Sequence, residues 1–123
     1  MKRADLRELS IEELFECYVE IGLAEENAVL YDDIPSYNRL FRKEQAVVDE
    51  LESRPGDQRK ILLKLYDHEN LWVRMNAAKD TLALAPEDGR RVLQQIADSK
   101  KQPYAGNAGM TLWTLDEGIF KPT

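Results

Sequence analysis

The stretch that most constrains the fold is Leu65-Tyr66-Asp67-His68-Glu69-Asn70-Leu71-Trp72-Val73-Arg74-Met75-Asn76-Ala77-Ala78. Its first residues end one helical pattern, and Asn70 is a helix N-cap residue type that opens a second. The paired small residues Ala77 and Ala78 then let a neighbouring helix come close. Shifting the chain by 31 residues overlays a second copy. Leu62 falls on Leu93, Leu65 on Ile96, Val73 on Tyr104, Ala77 on Ala108 and Ala78 on Gly109. A period of this size belongs to stacked helical units, none of which buries its apolar face alone. The second copy is degenerate, with Lys101 in place of Asn70 and Ala105 in place of Arg74.

The rest of the chain also reads as helix. Ser10-Ile11-Glu12-Glu13 is a capping box, and Ile11, Leu14, Phe15, Tyr18 and Val19 follow at helical spacing, a pattern running on through Ala24, Ala28 and Leu30. A second helix starts around Pro35-Ser36, with Tyr37, Leu40, Phe41, Val47, Val48 and Leu51 on its apolar face. Arg54-Pro55-Gly56-Asp57 ends it, and Asp57 is placed to cap the next. Helix three carries Ile61, Leu62 and Leu65, and helix four runs from Asn70 to about Ala85. Pro86 starts helix five, where a first-turn proline is tolerated. Helix six spans Tyr104 to about Glu117, with Gly118 as its C-cap. No run of β-branched residues alternates with period two, so the expected class is all-α.

The pattern L-x-D-x-x-x-x-V-R-x-x-A-A resembles the turn and second helix of a HEAT-like repeat. That resemblance implies about six helices in a short right-handed array. Residues 1–123 form a single helical domain, with 1–54 a capping helix pair and 55–123 two HEAT-like pairs. It also implies inter-repeat polar contacts from Asp67 and Arg74. The whole chain further resembles a bacterial domain-of-unknown-function family, numbered 2019. The matching segments are Pro55-Gly56-Asp57, Asp67-His68, Val73 to Lys79, Ala85-Pro86-Glu87, Ala97-Asp98-Ser99, Ala108-Gly109-Met110 and Leu115 to Thr123. This second resemblance supports the fold and carries over no functional residues.

Charge is unevenly distributed. The chain has a formal net charge of −6, while residues 1–34 alone hold three Lys and Arg against ten Asp and Glu. An acidic face repels phosphate backbones and suits a basic partner. The Lys and Arg of the later helices, from Arg39 to Lys101, suggest a basic stripe, but nearly as many acids share that region. Cys17 is the single cysteine, which excludes an internal disulfide and fits the cytoplasm. The N-terminal Lys2 and Arg3 have no apolar stretch behind them, against a signal peptide, and no run is apolar enough to span a membrane.

Chemistry finds little support. His68 is the single histidine and lacks companions for a zinc site. Cys17 stands among Glu13, Glu16 and Glu20, a setting that disfavours a thiolate nucleophile. The acid pairs Glu25-Glu26 and Asp32-Asp33 lack a calcium-loop order. The expectation is a non-enzymatic protein-binding module with no cofactor and no metal, its protein partner open. If Val73 faces the core, Trp72 points about 100° away and is partly exposed. Trp72, Arg74, Lys79 and Tyr104 are therefore the expected interaction face. Alternatives are nucleic-acid binding through the basic face and an immunity- or antitoxin-like role against a basic partner. A homodimer sealed by Trp113 or Phe120 is a further option.

Overall fold

The computed structural model describes residues 5–123. Lys2 and Arg3, on which the signal-peptide argument turned, lie outside the described residues. The described residues contain five α-helices and two 3-10 segments, with no strand. The α-helices are α1 (Ile11–Leu30), α2 (Ile34–Ser53), α3 (Leu71–Asp80), α4 (Pro86–Asp98) and α5 (Tyr104–Asp116). The 3-10 segments cover Leu6–Glu8 and Gln58–Leu65. The all-α expectation therefore holds. No described helix is long and apolar enough to cross a membrane.

The chain divides into two compact units, Met1–Ile61 and Leu62–Thr123. In the first, α1 packs on α2. The expected capping box is present: Glu13 N–H donates to Ser10 Oγ at 3.0 Å, and Ser10 N–H donates to a Glu13 carboxylate oxygen at 2.9 Å. Leu14, Tyr18, Gly22, Glu25 and Ala28 form the buried stripe of α1, spaced three and four apart. Ala24 and Leu30, assigned to the apolar face from sequence, are exposed instead. Asp33 caps α2 by accepting from Ser36 N–H, one turn residue earlier than the Pro35-Ser36 start expected. Val47, Val48 and Leu51 bury that helix. At its end, Arg54 donates to Glu50 at 2.8 Å and to the Leu6 carbonyl at 3.0 Å, fixing the 3-10 segment that precedes α1.

The third expected helix is not an α-helix. Residues Gln58–Leu65 form a 3-10 helix. Asp57, at φ +48°, still caps its start: Oδ1 accepts from the Arg59 backbone N–H at 3.3 Å, and the same carboxylate also holds the Arg59 guanidinium.

In the second unit α4 lies against both α3 and α5, and α3 also touches α5. α3 is short and buried almost all round through Trp72, Val73, Met75, Asn76, Ala77 and Ala78. It stops at Asp80 rather than near Ala85, because Thr81–Leu84 form a turn. There the Thr81 hydroxyl donates to the Ala77 carbonyl at 2.7 Å, so the Tyr66 hydroxyl donates to Thr81 Oγ1. α4 approaches α3 through Gly89. A Cβ built on it would stand 3.0 Å from the Ala78 carbonyl oxygen. Val92, Leu93 and Ile96 complete the α4 face, and Ala105, Ala108 and Leu112 bury α5. Gly118 follows α5 at φ +73°, the left-handed residue expected after the helix.

Candidate interaction surfaces

The helix-turn-helix stretch has a closed hydrogen-bond set of its own. Asn70 Oδ1 accepts from Val73 N–H at 3.0 Å, and Asn70 N–H donates to His68 Nδ1 at 3.0 Å. Arg74 then reaches back across one turn, donating from Nε and from a terminal nitrogen to the His68 carbonyl at 2.9 and 2.7 Å. A guanidinium fork closing on one carbonyl satisfies an acceptor that the chain reversal leaves open. Arg74 is thus committed to the turn before its own helix. Asp67 stays exposed on that turn. Among the described residues, the inter-repeat contacts implied for Asp67 and Arg74 are not made; Arg74 bonds to the His68 carbonyl instead.

The expected face does not assemble as an exposed surface. Trp72 is only 2 % exposed. Its ring meets Tyr104 edge-on, with centroids 6.2 Å apart and planes at 64°. The indole is therefore part of the unit's interior and offers no partner an anchor. The expectation of a half-open Trp72 treated Val73 as the sole inward direction, whereas α3 is covered on several sides. Tyr104, Arg74 and Lys79 are half-buried. Among the four, the structure pairs Trp72 and Tyr104 as packing partners.

The basic residues are likewise partly committed. Arg59 is buried against Asp57 at 2.7 Å and Glu52 at 3.4 Å. Its hydrogen bond is the leading reason that the Asp57 carboxyl is held below the usual aspartate range. Arg90 pairs with Asp116 and Arg91 with Asp88. Such pairing leaves less free positive charge for a phosphate backbone. Among the described residues no three His, Cys, Asp or Glu side chains group as metal ligands.

Two buried acids are not foreseen from sequence, whereas the setting of Cys17 is. Glu25 and Glu44 are buried, although helix acids read as solvated. Their positions on the inward stripes of α1 and α2 were the available signal. The Cys17 thiol is pushed above its usual value, first by burial and then by the fields of Glu20, Glu13 and Glu16. It is a poor nucleophile for that reason.

Six of the nine large exposed apolar residues of the described chain fall into two groups. On α5, Met110 is 61 % and Trp113 is 54 % exposed. Beside them Gly109 has open space, since a Cβ there would meet nothing within 4 Å. From Tyr104 to Leu115 this helix has no charged residue. On α1 and the turn after it, Leu23, Leu30, Tyr31 and Ile34 are exposed.

Residues 12–116 match the family described as Domain of unknown function (DUF2019). The chain belongs to this family. The match runs from the second residue of α1 to the last of α5, so it takes in parts of both compact units. The chain is also similar to a protein of solved structure, the protein RPA1889 from Rhodopseudomonas palustris CGA009. The two share 41 % identity with a TM-score of 0.91, over 98 % of this chain and 100 % of that one. No curated protein matches the chain. Membership of DUF2019 brings the helical fold and leaves function to be argued from the surfaces.

Proposed function

We propose that the chain is a small non-enzymatic protein-interaction module, that its second unit is built as HEAT-like helix pairs, and that the outer face of α5 receives a partner protein. The observation that carries this reading is a difference between two repeat-equivalent positions. Ala78 is fully buried, with α4 seated over it at Gly89. Gly109, which stands 31 residues later, is half-buried with nothing over it. Three other equivalent pairs agree, while Val73 is buried and its counterpart Tyr104 is half-buried. Leu62 and Leu93, Leu65 and Ile96, and Ala77 and Ala108 are all buried. In a stacked array each unit covers the previous one, and the last leaves a face that needs a polar cap or a partner. Here that face has Gly109, Met110 and Trp113 in place of charged residues. Aromatic and Met side chains are enriched in binding surfaces, and a half-exposed Trp is a typical anchor.

The test is affinity capture from the native cell lysate, comparing the wild-type chain with Met110→Asp/Trp113→Asp. Both positions are exposed, so circular dichroism should show an unchanged fold. A protein captured by the wild type and lost by the variant supports the module and its face. Capture that is indifferent to the two charges, or no capture at all with both chains folded, overturns it.

A further inference from the structure

The second exposed apolar group has different chemistry around it. On an α-helix, residues 12, 16, 20, 23, 27 and 30 fall within about 80° of arc. In α1 these are Glu12, Glu16, Glu20, Leu23, Asn27 and Leu30, and all six are exposed. The face therefore begins with three carboxylates at spacing four and ends in two leucines. Tyr31, which is 78 % exposed, and Ile34 continue it past the helix end. From Glu12 to Leu30 the face is about 27 Å long at 1.5 Å per residue.

Neither half is explained by the stability of the unit. α1 holds six Glu and no Lys or Arg. Carboxylates four apart repel each other, at about 0.2–0.5 kcal/mol per pair. The helix dipole and the capping box account for Glu12 and Glu13 in the first turn, but not for Glu16 and Glu20. Among the described residues no ion pair involves Glu12, Glu16 or Glu20. Single exposed apolar residues are ordinary. Four of the nine large ones in the described chain fall within the twelve residues 23–34, which makes a patch.

We propose that this outer face of α1, continued by Tyr31 and Ile34, is a docking surface for a cationic amphipathic helix of a partner protein. Charge complementarity selects that occupant. Nucleic acid and anionic lipid are repelled by the carboxylate half. A second copy fits badly. Two such faces laid parallel set carboxylates on carboxylates, and laid antiparallel they set carboxylates on leucines. A helix with Lys or Arg at spacing four, followed on the same side by aliphatic residues, meets both halves. Such a helix lies along its groove through anchors three, four and seven apart. This reading of α1 does not depend on that of the α5 face.

The probe is a synthetic 19-residue amphipathic helix with three Lys at spacing four and Leu on the following two turns, made in both sequence directions. A control replaces each Lys by Glu. Fluorescence anisotropy follows binding to the full chain at low salt. One lysine peptide should bind, and the glutamate control should not. Glu12→Gln/Glu16→Gln/Glu20→Gln and Leu23→Ala/Leu30→Ala should each weaken binding by about tenfold, as the sum of several exposed contacts. Added salt should weaken the wild type more than the Gln variant. No binding of either lysine peptide, equal binding of the control, or affinity unchanged in the Gln variant overturns the proposal. A concentration-dependent doubling of mass by light scattering, abolished by Leu23→Ala/Leu30→Ala, also overturns it by giving the face to a second copy.

Discussion

Replacing Gly89 with Ala should destabilise the second unit, although Ala is the better helix former. The structure sets the two opposing contributions. In a helix interior, Ala is favoured over Gly by about 0.5–1 kcal/mol. Against that, the added methyl would stand 2.9 Å from Leu82 Cδ2, 3.0 Å from the Ala78 carbonyl oxygen and 3.3 Å from the Tyr66 hydroxyl. The Leu82 tip can rotate. The Ala78 oxygen is backbone and the Tyr66 hydroxyl is tied to Thr81, so relief there means moving α4 off α3. Overpacking of that kind costs about 1–3 kcal/mol, which at the middle of both ranges leaves a net loss of about 1 kcal/mol. Gly109→Ala is the matched control, since nothing lies within 4 Å of its added methyl. It should gain up to about 1 kcal/mol. The two variants change the same atoms and should move in opposite directions. Urea unfolding followed by helical circular dichroism measures both. A Gly89→Ala chain as stable as the wild type would refute the close α3–α4 approach. A destabilised Gly109→Ala chain would refute the open α5 face.

Two other outcomes follow from hydrogen bonds described above. Arg74→Lys keeps the charge but cannot fork onto the His68 carbonyl, so it should lower stability by about 1–2 kcal/mol; an unchanged thermal midpoint would show that the fork contributes nothing. Asp57 has a lowered pKa in the folded chain, mainly through the Arg59 side chain, so its contribution is present above the ordinary aspartate value and is lost as pH falls through the folded one. Urea midpoints should therefore fall below about pH 4, and Asp57→Asn should flatten that fall, whereas a variant with the wild-type acid slope would rule out the linkage.

Local chemistry was the legible part of this sequence. Ser10 with Glu13, Asn70 at its cap and Pro86 at a first turn each mark a helix start through groups only a few residues apart. The small positions Ala77 and Ala108 were legible because a close helix approach admits few residue types. What failed depended on distant neighbours. Trp72 looked half-open because a single inward direction was inferred from Val73, and the local sequence does not show that α4 and α5 both lie against α3. Glu25 and Glu44 occupy inward stripes, but a carboxylate in a helix gives no local sign of burial. The segment Gln58–Leu65 has the residues of an α-helix and forms a 3-10 helix. The Arg74 fork was misdirected by resemblance, because a motif arginine facing a neighbouring repeat and one closing on its own turn share one sequence.

The composition of α5 has a dynamic consequence. Gly106, Asn107, Gly109, Thr111 and Thr114 are all weak helix formers, and in its first turn the N-cap Pro103 supplies no side-chain bond, leaving one that Gln102 Oε1 accepts from the Gly106 N–H. Alone in water, a helix of 13 such residues would be largely unravelled. Its order comes from the packing of Ala105, Ala108 and Leu112, which lies along one side only. Amide protons on the opposite side should then exchange through small, frequent openings rather than through global unfolding. A molecule seated on Met110 and Trp113 would close those openings, and its arrival would be recorded as slowed exchange along α5 before any change in the average coordinates.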